Sequence, residues 1–342
     1  MKYVILFIIT ILWLGGCSRE VMQTLYKTGV IADDYRYGDL YRLSSLPQFK
    51  DPVRPCSPSN SPLQRGGVGV KSALYVIGDS FTESERLSQR DFPGSDFLRT
   101  KWENKNTVQL DTAKRNVLLV ETVERHFREH FIQPTDNLTI AADTTRNKPS
   151  TASLNGEPHQ SLTRRISDFI QSKGIEERLE TVLFSHDVFL WFRELKANLN
   201  LNLFGRVAPT VGISQDQNHL FAGLDTDTTK HRNSSFAPLS DTELNALIDS
   251  VNATADRYRT LGFDAVYLSI IPNKASILDP TQGRYNHLIE RVESHPRLRV
   301  PVISVYQDYK RQPANVYATG DSHWNCTGRT VWIEEVRKTT GL

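Results

Sequence analysis

Ala73-Leu-Tyr-Val-Ile-Gly-Asp-Ser-Phe-Thr82 is the stretch from which the fold of this chain can be read. Mostly β-forming apolar residues run into Gly78, Asp79 and Ser80, the pattern of a buried strand that ends in a sharp turn and holds up a hydroxyl. A serine displayed in this way needs a base before it can act as a nucleophile. Near the other end of the chain, Tyr317-Ala-Thr-Gly-Asp-Ser-His-Trp-Asn325 supplies Asp321 and His323. An Asp-x-His spacing places both side chains on one side of an extended loop, where the carboxylate can reach the imidazole.

Outward from that first strand, short apolar runs alternate with helical patterns. Residues 116–121 form a second continuous apolar run and pass straight into a helical segment over 122–130. Residues 265–271 form a third, ending in the turn Pro272-Asn-Lys274, and 300–305 a fourth. The clearest helix begins at Ser240, with Glu243 placed for a capping box. Apolar residues follow at Leu244, Leu247, Ile248, Val251, Ala255, Tyr258 and Leu261, and Gly262 supplies the stop. Further helices are expected over 166–179, over 189–199 with Trp191, Leu195 and Leu199 on one face, and over 285–293 and 327–338. A short strand is expected over 181–184. The alternation predicts an α/β fold, a three-layer, doubly wound, mostly parallel sheet with helices on both faces. Segments 131–165 and 203–238 are irregular, and insertions this long are lids, binding loops or disordered.

The N-terminus reads as a targeting segment, with Lys2 as a short basic region, an apolar run over 3–14, and Leu14-Gly-Gly-Cys17 with the small residues of a signal peptidase site. The run is too short for the ~20 residues that span a bilayer. The expected organisation is a signal peptide over 1–16, a tether and wrap over 17–71, rich in Pro and Gly between 46 and 69, and one domain over 72–342. A net charge of +2 with 23% charged residues of both signs, scattered, gives no field for nucleic acid. With Cys17 set aside, Cys56 and Cys326 remain, either paired in an oxidising compartment or two buried thiols.

The order Ser80, Asp321, His323, with the last two nearly adjacent, resembles the SGNH (GDSL-type) hydrolase superfamily, whose first block is Gly-Asp-Ser and whose last block carries Asp and His. Cys17 after Leu-Gly-Gly resembles the lipobox of a bacterial lipoprotein, which implies acylation at Cys17 and an anchor in the cell envelope, periplasmic and outer-membrane. Within the superfamily, the chain is more similar to the branch containing alginate-type O-acetyltransferases. The residues that carry this are Gly78 to Phe81, Glu121 with Arg125, Pro272 with Asn273 and Lys274, and Asp321 with His323, Trp324 and Asn325. The resemblance implies a flavodoxin-like sheet and a serine-dependent O-acyl esterase or transferase, with acetyl the expected group, acting on envelope or secreted polysaccharide. A membrane-bound acyl donor protein is the expected partner of a transferase. No cofactor is implied, and the acids near Ser80 lack a second His or Cys at metal-ligand spacing. Two features depart from the pattern. The chain has no Gly-x-Asn-Asp block, and its Asp-x-His block follows the serine block, whereas it precedes it in the alginate enzymes.

In the expected chemistry, His323 takes the Ser80 proton and Asp321 orients the imidazole. The Ser80 N–H is one donor for the oxyanion. Asp79, Arg125, Asn273, Lys274, Trp324 and Asn325 are the candidates for surrounding the substrate. Of these, Asp79 is suited to holding the turn, while Lys274 or Arg125 is suited to stabilising negative charge or holding a carbohydrate carboxylate. An ion pair of Arg125 with Glu121 is the alternative. The competing function is a catalytically silent lipoprotein on the same scaffold that binds or helps assemble a polysaccharide.

Overall fold

A computed structural model describes residues 2, 3, 7, 40, 43–52, 56, 57, 72–84, 86–141, 187–207, 210–228 and 232–342. Along the chain its main elements are β1 (Ser72–Gly78), β2 (Ser95–Lys101), β3 (Asn106–Val108), β4 (Arg115–Val123), α1 (Glu124–His130), β5 (Leu138–Ile140), α2 (Asp187–Phe204), β6 (Val211–Ile213) and β7 (Leu220–Ala222). There follow α3 (Gly223–Thr226), α4 (Asp241–Thr260), β8 (Ala265–Ile271), α5 (Lys274–Leu278), α6 (Leu288–Glu293), α7 (Tyr306–Arg311) and α8 (Cys326–Thr340). The protein is α/β, with a central parallel sheet in the order β2-β1-β4-β8 flanked by helices. The short strands pair separately, β3 with β5 and β6 with β7.

The two middle strands explain the continuous apolar runs. All of β1 after Ser72 and all of β4 after Arg115 lies buried or nearly so, as strands with neighbours on both edges and packing against their faces require. The apolar stripe of α4 (Leu244, Leu247, Ile248, Val251, Ala255, Tyr258) and the inner face of α8 (Trp332, Ile333, Val336) join the same core. Trp332 also donates from Nε1 to Ser269 of β8 at 3.0 Å.

Several expectations change in detail. Edge strand β2 carries no continuous apolar run that would announce it, because Asp96, Arg99 and Lys101 interrupt its apolar residues and it pairs only with β1. The fourth apolar run, 300–305, makes a single parallel bridge, Leu268 with Val302, since Pro301 has no N–H for a longer ladder. At the start of α4, Ser240 accepts the Glu243 N–H at 3.1 Å, but the Glu243 carboxylate does not return to close the box. It accepts from Arg128 at 2.7 and 2.9 Å instead. The helix expected over 285–293 starts later, at Leu288, after His287 in the left-handed region at φ 55°. Gly262, at φ 104°, ends α4 as its glycine allows.

The chain divides into two units, Met1–Arg36 with Asp143–Gly205, and Tyr37–Ala142 with Arg206–Leu342. The division cuts across the single domain expected over 72–342. In the first unit, α2 extends the expected helix at both ends, and its Trp191, Leu195 and Leu199 are exposed. The signal peptide, Cys17, the helix expected over 166–179 and the strand expected over 181–184 lie outside the described residues, apart from Lys2, Tyr3 and Phe7. Among the described residues, no helix is long and apolar enough to cross a membrane.

Ser80, Asp321 and His323 all lie in the second unit. Its chain runs from β1 out to β2, returns to β4 on the far side of β1, and continues to β8. Open α/β sheets bind ligands beyond the carboxyl ends of strands at such a reversal, which here means the crevice above β1 and β4.

Candidate active site

At the carboxyl end of β1 the chain turns through a short 3₁₀ segment, Ser80–Thr82, capped by Asp79. The turn is fastened from several directions. One oxygen of Asp79 accepts the Phe81 N–H at 3.1 Å and the other accepts the Val123 N–H of β4 at 2.6 Å. Glu121, fully buried in β4, accepts the Asp79 N–H at 3.0 Å and the Thr82 hydroxyl at 3.1 Å. Arg99 of β2 donates to the carbonyls of Gly78 and Asp79 and to Thr82 Oγ1. A side chain at position 78 has no room here, since a Cβ would lie 2.2 Å from Thr82 Oγ1 and 2.6 Å from Glu121 Oε2. Burial, and then the neighbouring Asp79 carboxylate, push the Glu121 carboxyl well above its ordinary range. A protonated Glu121 can lie against Asp79 without repulsion between two charges. The amides of residues 79, 81 and 82 are thereby occupied, while the Ser80 N–H has no acceptor among the described residues.

The loop carrying His323 is as firmly built. Tyr317 bridges to Trp324, Ala318 donates to the His323 carbonyl at 3.3 Å, and Asn325 donates to the Val316 carbonyl at 3.0 Å. The Lys274 ammonium, wholly buried, donates to the carbonyls of Ala318, Thr319 and Asp321. Asn325 caps α8 by accepting the N–H groups of Thr327 and Gly328, and its amide donates to the carbonyls of Asn315 and Tyr317. Cys326, the next residue, is disulfide-bonded to Cys56, with their Cα atoms 5.3 Å apart. This resolves the question of the two thiols in favour of pairing.

The turn and the loop meet. Ser80 Oγ lies 2.8 Å from His323 Nε2, and His323 Nδ1 lies 2.7 Å from Asp321 Oδ1, which also accepts the His323 N–H at 2.8 Å. With its Nδ1–H given to Asp321, the ring presents the lone pair of Nε2 to the serine hydroxyl. Asp321 and His323 are buried and Ser80 is half-buried. Phe81 packs against the imidazole at a centroid distance of 4.6 Å and meets Trp324 edge-on at 5.1 Å. Two distant segments of the sequence thus bring a hydroxyl, an imidazole and a carboxylate into an arrangement able to activate a serine.

The other candidates have different surroundings from those expected. Lys274, Asn273 and Asn325 were expected to face substrate, but their polar groups bond the protein itself. Asn273 is fully buried, donates to Ser235 Oγ at 2.8 Å, and accepts the Arg125 N–H at 3.1 Å. Trp324 is buried in the core cluster. Arg125 pairs with buried Asp225 at 3.3 Å, not with Glu121. Asp79 holds the turn, as its position suggested. Asp225 and Arg99 were not anticipated; both lie in segments whose strands or short helices carry too few apolar residues to announce themselves. Above β4, Trp102 donates to the Glu121 carbonyl at 2.8 Å and stacks on His130 at 3.8 Å. Burial, and then neighbouring His126, push the His130 imidazole down to about 4.

Compared with protein-family models, curated proteins and solved structures, the chain matches none.

Proposed function

We propose that this protein is a serine-dependent O-acyl esterase or transferase of SGNH type, acting through a covalent acyl-serine. The observation that carries the reading is the unbroken chain of contacts from Ser80 Oγ through His323 to Asp321. In the proposed reaction Ser80 Oγ attacks the ester carbonyl carbon as its proton passes to His323 Nε2. Asp321 stabilises the imidazolium, and the unoccupied Ser80 N–H faces the developing oxyanion. Collapse of the tetrahedral intermediate breaks the bond to the alcohol, which takes the proton from Nε2. Water or a sugar hydroxyl then gives its proton to Nε2 and attacks the acyl-serine carbonyl; collapse of this second intermediate breaks the bond to Ser80 Oγ, which takes the proton back from Nε2, and the product is the free acid or the new sugar ester.

The proposal extends to an acetyl group as the acyl unit, an envelope or secreted polysaccharide as the substrate, and a sheet covered by helices on both faces in the three-layer, doubly wound manner. It also includes lipidation at Cys17, anchoring in the envelope, and a membrane-bound acyl donor if the acceptor is a sugar. A second reading, a silent binding protein, is favoured by one observation: Asn273, Lys274 and Asn325 are committed internally. Turnover of p-nitrophenyl acetate separates the two. Esterase activity lost in both Ser80→Ala and His323→Ala supports the enzyme, and activity that survives Ser80→Ala refutes the nucleophile.

A further inference from the structure

The cations around the nucleophile turn are nearly all spent on the protein itself. Arg99 holds the carbonyls of Gly78 and Asp79, Arg125 pairs with Asp225, Lys101 pairs with Glu83 at 2.9 Å, and Lys274 is sunk beneath the His323 loop. Arg86 differs. Its Nε donates to the Ser80 carbonyl at 3.1 Å, which ties the guanidinium to the backbone of the turn that carries the hydroxyl, yet neither Nη nitrogen has a hydrogen-bond acceptor or carboxylate partner among the described residues. Its backbone is held from both sides, by the Glu83 carbonyl, which accepts the Arg86 N–H at 2.7 Å, and by Arg329, which donates to the Arg86 carbonyl. Glu83 is the carboxylate that feels Arg86, and it is already bonded to Lys101. The side chain is half-buried.

We propose that Arg86 forms an anion subsite beside Ser80, taking a carboxylate or phosphate group of the substrate on the open edge of its guanidinium. The planar fork of N–H donors matches two oxygens of either group. Because its backbone and Nε are already fixed, the head loses little freedom when it binds. The subsite rests on the acyl-serine reading for its role in turnover, selecting polymers with an acidic group near the acylated hydroxyl. It also predicts binding that can be measured without turnover.

The test uses the mature chain with three probes: a galacturonate trimer, an oligomer of glycerol phosphate, and neutral galactotriose. Each is tried as an inhibitor of p-nitrophenyl acetate hydrolysis, and its binding is measured by calorimetry to wild type, Ser80→Ala, Arg86→Gln and Arg86→Lys. At least one acidic oligomer is expected to bind where galactotriose does not. Arg86→Gln is expected to weaken that oligomer by about tenfold more than it slows p-nitrophenyl acetate turnover, with partial recovery in Arg86→Lys. Which oligomer responds distinguishes carboxylate from phosphate. Equal losses for the oligomer and the neutral ester would make Arg86 a structural staple and overturn the proposal. So would binding indifferent to Arg86→Gln, or no preference for acidic over neutral oligomers. If wild type turns over no ester but binds an acidic oligomer through Arg86, the acyl-serine reading fails and the subsite stands.

Discussion

Replacing Lys274 with methionine isolates what a buried ammonium does for the loop that carries the base. The side chain is fully buried, and its Nζ donates to three carbonyls within four residues of the loop, those of Ala318, Thr319 and Asp321. Methionine fills similar space but withdraws that donor from all three oxygens, of which the Thr319 carbonyl keeps the Leu220 N–H at 3.1 Å. Orphaning a buried acceptor costs about 1–3 kcal/mol, and removing the charge returns part of this by sparing its desolvation. The expected net loss is about 3 kcal/mol, a large share of the ~5–15 kcal/mol that stabilises a typical domain. Urea unfolding followed by tryptophan fluorescence, with the disulfide intact, reads the change as a lower midpoint at unchanged slope. Esterase activity in the absence of urea should fall by more than the unfolded fraction, because the Asp321 carbonyl is one of the three released and its side chain orients His323. A stability change below about 1 kcal/mol, within the range of ordinary surface substitutions and mild core changes, would refute the clamp.

Two further predictions concern stability. Burial pushes the Glu124 carboxyl up to about 7, despite hydrogen bonds from Ser276 Oγ and the Asn273 N–H. A carboxyl held above its ordinary 4.5 takes up a proton in the folded state before it does so unfolded, so its contribution is present below pH 4.5 and is lost as pH rises through about 7. The loss amounts to roughly 3 kcal/mol, and Glu124→Gln should flatten that part of the stability profile when unfolding is measured from pH 5 to 8. An identical slope in the variant would contradict the assignment. Reduction of the Cys56–Cys326 bond, which closes a loop with a sequence separation of 270, should destabilise the fold by up to about 5 kcal/mol. Thermal unfolding with and without dithiothreitol checks it, and an unmoved midpoint in protein shown to be reduced would refute the expectation.

What could be read from the residues follows from where strands lie in the sheet. β1, β4 and β8 carry apolar runs because their side chains meet the core, so their order and type were legible, as was the α4 stripe. The Ser80, His323 and Asp321 meeting was legible as chemistry, since a serine at a strand end has little use without a base. The supporting residues were harder to assign. Lys274 and Asn325 look like substrate ligands in a motif, and only the burial of one and the capping geometry of the other reveal their structural work. β2 was missed because its charged residues hide its pairing, and Arg99, the strap across the nucleophile turn, was missed with it. Asp225, which takes up Arg125, comes from a segment that reads as irregular insertion.

The most direct test of the central claim is labelling with a fluorophosphonate, followed by mass spectrometry of the modified peptide. A Ser80 hydroxyl activated by His323 predicts one adduct, on Ser80, absent in Ser80→Ala and strongly slowed in His323→Ala. An unlabelled wild-type protein, or an adduct on another residue, would contradict it.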